Sequence, residues 1–221
     1  MKLLIKHIAL LSVASFILFS CKENNTQEIS VKELKVEKLD LSDTVFYEKS
    51  STEFESKFIS TVLNDKTKPL VEVSTELKSQ ISQITDLEVS QFTSYYYRKF
   101  EGSDLYTPMV LLITNMSSES LVFITLSKDQ KIVEYIDLVK DKCSLIEQTI
   151  ESEIVSCELR RSSYDEVARE LTVLRVLTEE TYSGKADNAK VSKDSISAFY
   201  KFIPSTGKMV LEKSDSIRVL N

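Results

Sequence analysis

Apolar positions along this chain change their period several times. Ile8 to Phe19 is an unbroken stretch of apolar and small residues. Between residues 22 and 50 the chain is polar, with a weak apolar rhythm at Val31, Leu34, Val36, Leu39 and Leu41. That pattern predicts a tether running into a short strand or an irregular segment. Ser50 and Glu53 have the spacing of a capping box, and Phe54, Phe58, Ile59, Val62 and Leu63 then fall on one helical face. Asn64-Asp65 and Pro69 predict the end of that helix. A second helix is predicted from Ser74 or Thr75 onward, with Leu77, Ile81 and Ile84 as its stripe.

From about residue 87 the period becomes two. Phe92, Ser94, Tyr96, Arg98 and Phe100 are predicted on one strand face, Tyr95 and Tyr97 on the other. Gly102-Ser103-Asp104 turns the chain, and Thr107 to Thr114 is a near-continuous apolar strand of the kind buried on both faces. Leu121 to Leu126 and Ile132 to Val139 complete a three-stranded meander. Cys143 to Glu158 predicts two short strands about a turn near Glu151. Residues 163 to 181 fit a helix or a strand, with strand favoured from Glu170 by the β-branched residues. Tyr182 to Asp194 predicts a polar loop. Ile196 to Ile203 and Lys208 to Leu220 predict a hairpin across Pro204-Ser205-Thr206-Gly207. The expected fold is α+β: two N-terminal helices packed on a large antiparallel β-meander, either an open sheet or a partly closed barrel. Residues 51–221 are expected to form a single domain.

The first apolar stretch is too short to span a bilayer, which needs about 20 residues. With Lys2 and Lys6 before it, it fits the hydrophobic region of a secretory signal. Leu18-Phe19-Ser20-Cys21 follows, and then an abrupt change to Lys22-Glu23-Asn24-Asn25. This resembles the lipobox of bacterial lipoproteins. Leu18, Ser20 and Cys21 match its aliphatic, small and cysteine positions; Phe19 stands where that family usually has a small or β-branched residue. The resemblance covers the leader alone. It implies that residues 1–20 are a signal peptide, that Cys21 carries acyl chains, and that residues 21–50 tether the domain to a membrane. Lys22-Glu23 also resembles the tag with which one Gram-negative phylum exports lipoproteins to the cell surface. The implied location is the outer membrane, on its periplasmic or its surface face.

Composition narrows the chemistry. The chain has 28 Lys plus Arg against 34 Asp plus Glu, a net charge of −6. Nucleic acid demands a basic face, so no nucleic-acid partner is expected. The only histidine is His7, inside the leader, which excludes histidine-based catalysis and the usual zinc and copper sites in the rest of the chain. Gly102, Gly184 and Gly207 are too far apart to build a phosphate loop or dinucleotide fingerprint. No metal, cofactor or catalytic residue is expected.

Candidate sites are few. Tyr95, Tyr97 and Arg98 combine aromatics with a cation, as a stacking surface for sugars or a protein hot spot does; core packing on one strand face is the alternative. Cys143 and Cys157 form a disulfide if the chain folds back near Glu151, and are two small buried thiols otherwise. Thr44, Ser195 and Ser216 each follow an Asp and precede an aliphatic residue, which resembles the O-glycosylation site of that same phylum. Three functional readings remain. The first is a lipid-anchored envelope protein with a non-enzymatic binding or scaffolding domain and a protein or glycan partner. The second is a small-ligand-binding β-barrel lipoprotein. The third is a carboxylate-dependent hydrolase.

Overall fold

The computed structural model describes residues 41, 44–48, 52–85, 87–149, 152–183 and 190–220. A two-residue strand, β1 (Glu53–Phe54), precedes two helices, α1 (Ser56–Asn64) and α2 (Thr75–Thr85). Eight strands follow: β2 (Phe92–Lys99), β3 (Tyr106–Asn115), β4 (Glu119–Ser127), β5 (Ile132–Gln148), β6 (Ser152–Asp165), β7 (Glu170–Ser183), β8 (Lys190–Ile203) and β9 (Lys208–Leu220). They pair antiparallel in strict chain order from β2 to β9, and β1 joins the sheet beside β6.

This corrects the α+β expectation. Strands hold 61 % of the described residues, and the sheet is open rather than a barrel. The two helices are short, follow β1 and lie at residues 56–85, so they are not an N-terminal pair under the whole meander. The predicted capping box fails for a packing reason. Phe54 is fully buried and pairs with Ser162 as strand, so the helix begins later, with Glu55 at its N-cap. Eleven residues of α2 extend about 16 Å at 1.5 Å per residue, too little to cover eight strands.

The first part of the sheet is buried on both faces. Leu77 and Ile81 of α2 pack on Tyr96, Leu111, Ile113, Val122 and Ile124. On the other face Phe54, Ile59 and Val62 meet Tyr97, Phe100, Val110, Leu112 and Phe123, joined by Tyr164, Leu171 and Phe202 from the bases of β6 to β8. Double burial is why β3 reads as continuously apolar instead of alternating.

β5 is shared between two environments. Ile132 to Val139 pairs with β4, whereas Lys140 to Gln148 leaves β4 and pairs with β6. The sequence predicts two strands here, Ile132 to Val139 and another from Cys143, with Lys140-Asp141-Lys142 between them. The strand instead passes from core to solvent there, and polar residues suit that exit. Beyond Val139, the outer parts of β5 to β9 are half-buried or exposed on both faces. They form a single-layer blade, about 30 Å long for the nine residues from Lys140. β7 and β8 extend into the segment predicted as a loop, to Ser183 and from Lys190.

The blade's base is stitched to the first sheet. Ser103 Oγ donates to the Pro204 carbonyl at 3.1 Å, and the Met209 N–H donates to the Glu134 carboxylate at 2.9 Å. Gly207 has φ +70° and lies against the Tyr106 ring, so a Cβ there would sit 2.4 Å from a ring carbon. Only glycine suits both the backbone and the contact. The free edge of β2 is covered by residues 71–73, through Val73 N–H to Ser94 O and Tyr96 N–H to Val71 O, both 2.9 Å. Among the described residues, no strand lies along the outer edge of β9.

Candidate functional site

The leader, Cys21 and Lys22-Glu23 lie outside the described residues. Among the described residues, no helix is long and apolar enough to cross a membrane. Tyr97 and Arg98 are core residues, at 3 % and 2 % exposure, and Tyr95 is half-buried against the same cluster. They therefore form no stacking surface. A bulge between Tyr96 and Arg98 is the cause. It inserts one residue, so Arg98 and Phe100 move to the face of Tyr95 and Tyr97, which period-two counting cannot anticipate. Arg98 donates to Glu166 at 2.7 Å and lies over the Phe100 ring at 4.7 Å.

Cys143 and Cys157 stand directly opposite each other on β5 and β6 and are joined by a disulfide, with Cα atoms 4.0 Å apart. Of the glycosylation candidates, Thr44 is half-buried in irregular chain, Ser195 is half-buried within β8, and Ser216 is exposed on β9. Ser195 and Ser216 point to opposite faces of the blade, since Ser195 opposes Ile217 and Ser216 opposes Ile196.

Register makes the two faces of the blade unlike. One carries most of the ion pairs, while Lys213–Asp215 and Lys201–Glu170 lie on the other. Glu158 accepts from Arg160 Nε at 2.7 Å, Arg175 Nε at 2.8 Å and Lys140 Nζ at 3.2 Å. Arg160 also reaches Asp137 at 3.1 Å, and Arg218 reaches Asp194 at 3.3 Å. Burial disfavours the Glu158 carboxylate, but Arg160 and Lys140 outweigh it, and its pKa falls below the ordinary 4.5.

The other face carries the disulfide and most of the apolar side chains. Leu159, Val176 and Ile217 share one cross-strand row, interrupted by Ser195. Leu145 and Val155 form a pair beyond the disulfide, and Leu174 and Phe199 lie nearer the base. Ile217 is 67 % exposed, Leu145 51 % and Leu159 41 %. A depression of about 290 Å³ at the base of this face is lined by Glu53, Glu55, Arg161, Thr172 and Leu174. Single strands hint at this asymmetry, as in Val155, Cys157 and Leu159 against Ser156, Glu158 and Arg160. Only the register aligns the strands into one apolar face.

No family model, curated protein or solved structure matches this chain.

A second hollow, of about 500 Å³, opens where β5 leaves β4. Ile84, Leu87, Tyr135, Asn115, Asp137 and Lys142 are among its lining residues. Burial, and then the negative charge of Asp137, push the Tyr135 phenol well above its usual range. Its wall mixes both charge signs with apolar and hydroxyl groups, so it defines no single ligand chemistry. Among the described residues, no cluster of metal-ligating side chains is present. The carboxylates of Glu55, Asp65 and Glu158 are all shifted down. A glycosidase-type general acid needs the opposite shift.

Proposed function

We propose that this chain is a lipid-anchored protein of the bacterial outer membrane whose folded domain acts by binding a protein partner rather than by catalysis. Lys2, Lys6, the apolar run and Leu18-Phe19-Ser20-Cys21 support the anchor. Residues 22–40 then serve as a tether that holds the domain clear of the lipid headgroups, a shorter stretch than expected because Leu41, Phe46 and Tyr47 pack on the domain's cores and the Glu48 N–H donates to the Tyr97 carbonyl.

One observation carries the binding role: the disulfide face of the blade. Its rows of Leu145, Val155, Leu159, Val176 and Ile217 have no covering layer among the described residues. Contiguous apolar surface of this kind marks an interaction site. The opposite face, with its charges paired among themselves, is suited to water.

Two measurements test the reading. A photo-crosslinking amino acid is placed in the full-length protein in intact cells, at Leu159 or Ile217, with Ser192 on the opposite face as control. Protein adducts are expected from the first two positions alone, and their absence at both overturns the binding role. Cys21→Ala is expected to move the protein out of the membrane fraction. Retention there overturns the lipid anchor.

A further inference from the structure

We infer that the Cys143–Cys157 disulfide is a redox switch: a dithiol reductant opens it in the folded protein, and the outer half of β5 then leaves the blade and takes part of the partner-binding face with it. The inference rests on the disulfide face being that binding surface.

The bond is reachable without unfolding. Every residue from Asp141 to Gln148 is exposed, Cys143 among them, whereas Cys157 is half-buried. Beyond Val139, β5 pairs with β6 alone, and among the described residues no strand lies along its other side there. A thiolate therefore meets Cys143 Sγ at an open sheet edge. Exposed disulfides exchange more readily than buried structural ones.

The exchange runs in two steps. A thiolate of the reductant attacks Cys143 Sγ, the bond to Cys157 breaks, and its electron pair leaves on Cys157 as a thiolate. The second thiol of the reductant then attacks the mixed disulfide and releases Cys143. The reductant departs as its own disulfide, and its two protons end on the two cysteines.

β5 is divided in a way that suits such a switch. Leu138 and Val139 are fully buried, so the core holds the inner half. The outer half has no buried side chain from Asp141 to Gln148, and its register slips between Leu145 and Glu147. Ladder bonds to β6, the contact of Lys140 Nζ with Glu158 at 3.2 Å and the disulfide hold it in place. A segment with so little apolar burial is among the first parts of a fold to open. β6 differs, because β7 pairs with it over its whole length from Ser152 to Asp165. Opening therefore removes β5 and leaves β6 as the new edge. The apolar face loses Leu145, and Val155 and Leu159 lose their cross-strand neighbours on β5.

The test uses the full-length protein in detergent, with dithiothreitol as the reductant. Cys143→Ser/Cys157→Ser sets the thiol background from Cys21. Reduction under native conditions should run within about a hundredfold of its rate in denaturing urea. A slower rate shows that the bond opens only on unfolding, and overturns the switch. In the reduced native chain, amide exchange over residues 140–148 should quicken about a hundredfold while β3 and β4 keep their protection. Unchanged exchange at 140–148, or protection lost in β3 and β4 as well, also overturns it. In intact cells, photo-crosslinking from Leu159 should fall about tenfold in the double-serine variant. An undiminished yield overturns the link to partner binding. If Leu159 and Ile217 give no adduct even in the native chain, the binding reading falls and that link with it, whereas the reduction rate and the exchange pattern still decide the opening of β5.

Discussion

Replacing Arg98 by methionine should leave the fold about as stable as the native chain, although it deletes a buried ion pair. The Arg98 side chain is 3 % exposed, and its Nη2 donates to Glu166, whose side chain is 40 % exposed. Its Nε and Nη1 are buried with no hydrogen-bond partner among the described residues. Each unmatched buried donor costs about 1–3 kcal/mol. Methionine keeps most of the apolar stem against Phe100 and removes both unmatched donors, which offsets the lost ion pair. The net change should fall within about 1 kcal/mol. Removing the partner is different. Breaking a fully buried pair costs about 3–5 kcal/mol, and the exposure of Glu166 reduces that to about 2 kcal/mol for Glu166→Ala. In the Arg98→Met background the same change should cost close to nothing. Urea denaturation of the four proteins measures the coupling, expected at about 2 kcal/mol. The reasoning is refuted if Glu166→Ala costs the same in both backgrounds, or if Arg98→Met alone costs more than about 2 kcal/mol.

Three other perturbations give distinct signals. Reducing the Cys143–Cys157 disulfide, which closes a separation of 14 residues, should cost about 3 kcal/mol in the loop-entropy estimate. Amide exchange should then quicken in β5 and β6 before it does in β3 and β4; uniform quickening would contradict the single-layer blade. Glu158 has a pKa lowered on folding, so its stabilisation is present above about pH 4.5 and is lost as pH falls through its folded pKa. Glu158→Gln should flatten the acid limb of a stability–pH curve, and an unchanged limb would remove Glu158 as its source. Gly207→Ala meets both a positive φ and the Tyr106 ring, and should lower stability by about 2 kcal/mol or more in thermal melts. A variant that melts with the native chain would show that the turn does not dock on Tyr106.

Local alternation made much of the sheet legible. The runs at Thr107–Thr114, Leu121–Leu126 and Ile196–Ile203 all lie within strands of the structure, because burial of one or both faces leaves its period in the sequence. Three features stayed hidden, each for a physical reason. The bulge beside Tyr97 changes parity without changing composition, so Arg98 looked like surface. The outer strands carry polar residues on both faces, so Lys140–Lys142 and Lys190–Asp194 resembled a break and a loop. Phe54 fitted a helical stripe, but it packs as strand against a segment more than a hundred residues away. The candidate face was hidden for a related reason: its side chains come from five strands, and only the register aligns them.

The chain-ordered meander has a kinetic consequence. Every strand from β3 to β9 pairs with its immediate predecessor, so each hairpin can zip as soon as its second strand exists. The stitches from Ser103 to Pro204 and from Glu134 to Met209 must wait, because they span 101 and 75 residues. A chain emerging from its N-terminus therefore accumulates local hairpins early, while the cluster around Phe100 and Phe123 stays incomplete until Tyr164 and Phe202 arrive. Docking of the β8–β9 turn becomes possible only after these residues have emerged. Until Met209 has emerged, the nascent protein exposes an apolar face that chaperones would recognise.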